Sequence, residues 1–408
     1  MRVVVLGGSG SSTPELADAL AAWPGGLERR PALQIALVGR SAAKLELVTA
    51  EFRARAGTSG PPLSVTFDTD RWRALRAADV VLNQVRVGGL DARVFDETFP
   101  RAFGLPGEET MGPGGFANAL RTVPALAATW DDIASVAPDA LIINLTNPAG
   151  IVHQAASIGW PGLRIVTACD GPVTFTELIA RRLERPVGRV VQRYVGMNHC
   201  GWYVPESEDE LPLLRDLVQG MDPSVVDLHG AVPSPYVRYY VEPARQLAVQ
   251  LGRRSRADEL KEIDSNLLGD YAAGPAGPAS PRRKRGAAWY ALIIVPLLDG
   301  WLHGRTAPLV LGVTNAWRLP EAPATTMIEV AHRITAGRLE PLEPATRPPL
   351  PSLLLARHGV YEALTVEGLG ADAPPEARLR ALLANPLIRD LEQAAAVLAE
   401  IDARSPRG

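Results

Sequence analysis

Six short apolar runs punctuate the first 170 residues: Arg2–Leu6, Gln34–Val38, Leu63–Phe67, Val80–Gln84, Leu141–Leu145 and Arg164–Ala168. Each is short enough and rich enough in Val, Ile and Leu to read as a buried strand. Between them lie helical patterns near Pro14–Ala22, Ala42–Ala56 and Asn118–Ser135. Strands and helices that alternate at this spacing build a parallel sheet with helices on both faces. The right-handed crossover rule then gives a doubly wound, Rossmann-like α/β domain. After Pro172 the pattern changes to helical segments broken by Pro and Gly, with a loop-like "AAGPAGPASPRRKRG" at 272–286. The chain is therefore read as a Rossmann-like dinucleotide-binding domain over 1–170 and a mainly helical α+β domain over 171–408. No internal repeat is visible, and the basic "RRKR" run reads as a solvated loop.

Composition narrows the function classes. The chain has 408 residues, 47% hydrophobic and 21% charged, which suits a globular protein with a sizeable core. A net charge of −3 gives no basic surface for nucleic acid or an anionic membrane, and neither is expected as a partner. "MRVVVLGG" runs straight into a glycine turn, and no apolar run has the length to span a bilayer. Two cysteines cannot form a disulfide framework, so a reducing, cytoplasmic setting is expected.

The glycine turn is the first candidate for chemistry. In "VVVLGGSGSST", Gly7, Gly8 and Gly10 follow the first strand directly and precede a helix. Glycines there let the backbone approach a pyrophosphate, and Ser11, Ser12 and Thr13 suit an N-cap or phosphate contacts. Such a turn also serves merely to pack a strand against a helix. NAD-binding domains place an acid at the end of the second strand to hold the ribose 2′-hydroxyl. Here that strand ends "LVGRS", with Arg40 in place of the acid. An arginine suits a 2′-phosphate, but it equally stacks near an adenine or points to solvent.

A rare thiol supplies the second candidate. Cys169 stands beside Asp170, just past the apolar run Leu163–Ala168. Thirty positions further on, "YVGMNHCGW" carries His199. Two loops, each with a soft or borderline ligand, can share one divalent metal with positions left open for substrate. A buried Cys and a satisfied His need no metal at all, and spacing alone favours that reading.

Several motifs taken together resemble one family. "GGSGSSTPEL", "NQVRVGGLDAR", "GLPGEETMGPGGF", "IINLTNPAG", "ACDGP", "GMNHCGW", "SPYVRYY" and "SRADELKEID" occur in order from residue 2 to about 290. The likeness resumes in "LLANPLIRDLEQAAAVLAEI" near the end. This set is similar to the NAD- and metal-dependent glycoside hydrolases of family 4, especially the 6-phospho-β-glucosidases. The resemblance implies Cys169 and His199 as ligands of a catalytic Mn²⁺ or another divalent metal in the second domain, and Tyr236 as the base. It also implies Arg86 and Asn147 as contacts to the sugar or its phosphate, and Arg256 as a 6-phosphate ligand. The cofactor it implies is NAD, with NADP left open by Arg40. Its chemistry is oxidation at C3 of the sugar, proton removal at C2, elimination at C1, water addition and reduction. These enzymes stand outside the two-carboxylate scheme of most glycosidases. A homo-oligomer, dimer or tetramer, is expected.

The chain also departs from that pattern. The turn is Gly7-Gly8-Ser9-Gly10 rather than three consecutive glycines, and Ser12 replaces an aromatic. "GQET" has become "GEET" with Glu108, and Arg285-Gly286-Ala287 replaces "RGG". Asp170 follows the metal cysteine, as in members that act on α-linked phosphoglucosides, whereas the other motifs look nearer the β type. As a carboxylate next to a thiolate, Asp170 could protonate the leaving oxygen, or simply orient a metal-bound water. A 6-phospho-α-glucosidase or an enzyme of unphosphorylated glycosides is the nearest alternative. A hydroxyacid dehydrogenase or a nucleotide-sensing module on the same fold is the alternative of another class.

Overall fold

The computed structural model describes residues 1–57, 59–274, 286–370 and 372–405. The "RRKR" run and Arg285 lie outside the described residues.

The first half alternates as its apolar runs predict. β1 (Arg2–Leu6), α1 (Glu15–Ala21), β2 (Leu33–Val38), α2 (Ala42–Ala56), β3 (Leu63–Asp68) and α3 (Arg71–Leu75) lead to β4 (Val80–Asn83). α4 (Gly89–Thr98), α5 (Gly112–Val136), β5 (Leu141–Asn144), α6 (Ala149–Gly159) and β6 (Arg164–Thr167) complete it. The six strands pair in parallel in the order β3-β2-β1-β4-β5-β6. Along β1, Val3 and Val5 face a core with Leu16, Leu45 and Phe52. Val4 and Leu6 face another core with Trp130 and Ile133. Alternation by two thus feeds two helical layers, which is the doubly wound arrangement.

Three differences from the expected elements bear on the site. Gln84, Leu145 and Ala168 fall just past the ends of β4, β5 and β6 rather than inside them. Pro14, not Ser11, Ser12 or Thr13, occupies the cap of α1, and no side chain caps it. α5 begins at Gly112, six residues before its expected start, through a Gly-Pro-Gly-Gly opening of poor helix propensity. A Cβ on Gly114 would stand 2.3 Å from the backbone oxygens of Asp96 and Glu108. The glycine is needed because the start of α5 lies directly on the 108–110 loop.

The second half continues the same sheet. α7 (Asp170–Arg182) is followed by β7 (Tyr194–Met197), β8 (Cys200–Tyr203), β9 (Val232–Pro233), β10 (Arg305–Thr314), β11 (Met327–Thr335) and β12 (Arg338–Pro341). β10 pairs antiparallel with β6 and the order runs on β10-β11-β7-β8-β9, with β12 on β11. Helix Arg256–Ala272 and the segment after Ala287 return to the first sheet. Leu267, Tyr271, Tyr290 and Leu297 share the core of Val3 and Val5. No described helix is long and apolar enough to cross a membrane.

Candidate active site

A cavity of about 1160 Å³ opens along the carboxyl ends of the parallel strands. Leu6, Val38, Gln84, Leu145 and Ala168, at or just past the ends of β1, β2, β4, β5 and β6, all line it. Strand order reverses between β1 and β4, and open α/β sheets bind ligands at such a switch point. The volume exceeds that of an ordinary drug-sized pocket and has room for a dinucleotide beside a sugar.

One end of the cavity is built on the glycine turn. Gly7 has φ of +81°, and a Cβ there would stand 2.7 Å from the Gln84 carbonyl oxygen. Gly7, Gly10, Ser11, Ser12 and Arg40 line the cavity. Gly8 is turned to packing: its N–H donates to the Val38 carbonyl at 2.8 Å, and a Cβ would press on Leu37. The turn is clamped from the second half of the chain. Ser11 Oγ donates to Asp264 at 2.6 Å, the Tyr271 hydroxyl donates to the Ser11 carbonyl at 2.8 Å, and Ala287 N–H donates to Glu15 at 2.8 Å.

The other end gathers the remaining predicted residues. Cys169 caps α7 without using its side chain, so the thiol is free to face the cavity. Asn198 and His199 form the two-residue turn between β7 and β8, whose last pair is Met197 with Cys200. His199 has φ of +60°, a left-handed conformation that a non-glycine residue holds only when its surroundings impose it. Its ring stacks on Tyr236 at 3.7 Å between centroids and 7° between planes. His199 Nδ1 is buried without a hydrogen-bond partner, with Glu108 Oε1 3.6 Å away. Burial pushes the Cys169 thiol up, with only the neighbouring His199 drawing it down. Burial alone would lower His199, but the Cys169 thiol and Glu108 outweigh it and hold the imidazole above its usual range.

Burial raises Asp170, at the first position of α7. For Tyr236, the adjacent His199 draws the phenol down, yet burial with Glu108 and Cys169 leaves it above its ordinary value. No group of three or more His, Cys, Asp or Glu that could hold a metal ion occurs among the described residues, so Cys169 and His199 would leave the rest of a metal's shell to other ligands. An orphaned buried imidazole nitrogen beside a thiol fits a divalent cation. A bound cation would supply the positive charge that a buried thiolate needs and would lower nearby proton affinities.

Residues absent from the sequence-based site hold these groups in place. Glu109 is buried and ion-pairs with both Arg86 and Arg93, and it accepts from Asn147 Nδ2 at 3.3 Å. Glu108 Oε2 accepts from Thr110 N–H and Met111 N–H, both at 2.7 Å, which fixes the start of α5 and aims Oε1 at His199. Asn198 donates to Glu329 Oε1 at 2.9 Å while Tyr194 donates to Glu329 Oε2 at 2.9 Å. Adjacent buried acids in "GEET" are the one local signal that marked this hub; their arginine partners lie on α4 and the loop before it. Arg256 lines the cavity mouth, where it is 55% exposed and paired with Glu259 at 2.7 Å.

Burial alone would raise the Glu109 carboxyl, but Arg86 and Arg93 draw it down to about 2. A carboxyl depressed on folding stabilises above its unfolded value, about 4.3, and that contribution is lost as pH falls toward 2. Glu109→Gln is expected to cost about 1–3 kcal/mol at pH 7, because Arg86 loses its carboxylate partner and buried Arg93 keeps only Glu97. Urea melts at pH 7 and pH 3 should show the gap to wild type shrinking in acid. An unchanged gap would remove Glu109 as the electrostatic hub.

Comparison with known proteins places both halves of the chain in one family. A family model described as Family 4 glycosyl hydrolase matches residues 2–185, and the Family 4 glycosyl hydrolase C-terminal domain matches 194–388. A Bacillus subtilis (strain 168) protein named "Probable 6-phospho-beta-glucosidase" is 26% identical, over 95% of this chain and 92% of its own length. "Phospho-alpha-glucosidase PagL" of Clostridium acetobutylicum is also 26% identical, over 98% of this chain and 96% of its own. The solved structure of the 6-phospho-beta glucosidase from Thermotoga maritima with manganese, NAD+ and glucose-6-phosphate superposes with a TM-score of 0.85. It is 24% identical and covers 98% of this chain and 97% of that one. Both halves of the chain match, in order and with little left over: it belongs to the family 4 glycosyl hydrolases.

Proposed function

We propose that this chain hydrolyses 6-phosphoglucosides, most of all β-linked ones, with a nicotinamide dinucleotide and Mn²⁺ or a similar divalent metal. The observation that carries the reading is the meeting of Cys169, His199 and Tyr236 with the Arg86–Glu109–Asn147 group in one cavity. The names of the relatives, and the glucose-6-phosphate held by the Thermotoga maritima enzyme, support the substrate class.

Cys169 Sγ and His199 would hold the metal, and the glycine turn with Ser11 and Ser12 would hold the cofactor pyrophosphate. When bound, the nicotinamide supplies a hydride acceptor at C3 and the metal a Lewis acid at the C2 and C3 oxygens. Arg86, kept in place by Glu109, and Asn147 grip the sugar and its phosphate. Tyr236, stacked on His199, takes the C2 proton made acidic by oxidation at C3. Loss of the C1 substituent follows, with Asp170 as the acid that protonates the departing oxygen. Arg256, at the mouth, reaches the 6-phosphate if it leaves Glu259. The 171–408 segment brings His199, Tyr236 and Arg256 to the substrate and metal, while Arg86, Asn147 and Cys169 come from the first 170 residues; a dimer or tetramer is the expected assembly.

The α-linked substrate is a second reading, favoured by Asp170 directly after Cys169 and by the likeness to PagL. A panel of nitrophenyl α- and β-glucosides, with and without 6-phosphate, cofactor and Mn²⁺, decides among them. Turnover only of 6-phosphorylated substrates, dependent on both additions, is the expected result. Stoichiometric build-up of reduced cofactor instead of catalytic release of nitrophenol would mark a dehydrogenase and overturn the proposal. Asp170→Asn is expected to slow substrates with poor leaving groups more than nitrophenyl ones; equal losses would leave Asp170 as an orienting group.

A further inference from the structure

Seven basic side chains line the cavity: Arg40, Lys44, Arg71, Arg86, Arg93, Arg256 and Lys261. Five of them have a carboxylate partner. Arg71 pairs with Asp132, Arg86 and Arg93 with Glu109, Arg256 with Glu259 and Lys261 with Asp91. Arg40 and Lys44 pair with no carboxylate among the described residues, and both are exposed to solvent. They sit just past β2, on the turn into α2 and one helical turn inside it.

That place is the one where a dinucleotide-binding fold meets the adenosine ribose, and an acid there holds a free 2′-hydroxyl. This chain carries no acid there, and the local geometry disfavours one. A Cβ on Gly39 would stand 2.8 Å from Ser9 Oγ and 3.0 Å from Ser9 Cβ, so a side chain at 39 would run into the glycine turn. Asp68, at the end of the neighbouring β3, is not among the lining residues, and Arg73 holds it through two bonds of 2.7 and 2.6 Å. The ribose end of the cavity therefore presents two uncompensated cations and no available carboxylate. A guanidinium is suited to bidentate contact with a phosphate, and an ammonium adds a second point charge.

Given the dinucleotide site of the proposed function, on which this rests, we infer that the chain selects the 2′-phosphorylated cofactor, NADP. Arg40 and Lys44 are the side chains that take the 2′-phosphate. Oxidation and re-reduction within one turnover leave the choice between NAD and NADP free of redox demand, so the ribose pocket alone sets it.

Calorimetric titration of the full chain with NADP, NAD, 2′,5′-ADP and 5′-ADP tests this without turnover. NADP and 2′,5′-ADP are expected to bind about 10-fold or more tighter than their unphosphorylated counterparts. The preference should fall between low and about 0.3 M salt, since both cations are exposed. Arg40→Ala and Lys44→Ala should each erode it and the double variant abolish it, with NAD affinity little changed. Because both side chains are exposed, these variants should fold. NAD binding as tightly as NADP would overturn the inference and leave the dinucleotide site intact. Equal weakening of both cofactors by Arg40→Ala would also overturn it, making Arg40 an adenine-stacking group. Binding of none of the four ligands would bring down the dinucleotide reading and the inference with it.

Discussion

Cys169→Ser is expected to remove measurable Mn²⁺ binding while leaving the fold intact. Outer partners of metal ligands already cost about 10–100-fold in affinity, and loss of one of only two protein ligands should cost more. Cys169 caps α7 without its side chain, so the start of that helix does not depend on the sulfur. His199→Ala should lose the metal as well, but with a different signature. It also removes the ring that Tyr236 stacks on, and so should loosen the segment Pro235–Val237. Manganese electron paramagnetic resonance, with circular dichroism as the folding control, separates the two. A chelator should abolish turnover and Mn²⁺ restore it. Full turnover in excess chelator would refute the metal role of both residues.

Tyr236→Phe should retain cofactor and metal binding but lose about 100- to 10,000-fold in kcat, the range of a positioned base. The phenyl ring preserves the stack on His199 and cannot accept a proton, so folding and basicity are separated in one substitution. Without a cation the Tyr236 phenol sits above its ordinary value despite His199, because burial and Glu108 oppose ionisation. In the proposed role Tyr236 would need positive charge nearby to ionise, which ties this prediction to the first. Turnover of the wild type in heavy water should place deuterium at C2 of the released sugar. Retained turnover in Tyr236→Phe, or C2 free of deuterium in the wild-type product, would transfer the base role elsewhere.

The sequence by itself determined the parallel half of the sheet. Runs such as Arg2–Leu6 and Ala42–Ala56 carry their own periodicity, and burial on both faces of a strand demands continuous apolar residues. The glycine turn was legible for a similar local reason, since Gly7 needs its positive φ wherever the chain goes next. The pairing of Cys169 with His199 was not a local fact; it rested on a resemblance, and spacing by itself favoured two inert buried residues. Only tertiary structure brings the two together, by setting the β7–β8 turn beside the start of α7 with His199 Nδ1 left without a partner. The same holds for Glu109, whose arginine partners come from β4's exit loop and α4, and for Glu329, which steadies Asn198 from 131 positions away. A buried charge is tolerated only when matched, and the match is a property of three-dimensional neighbours. Strand and helix periods are written within a dozen residues, whereas charge compensation is settled between segments that meet only after the sheet has formed.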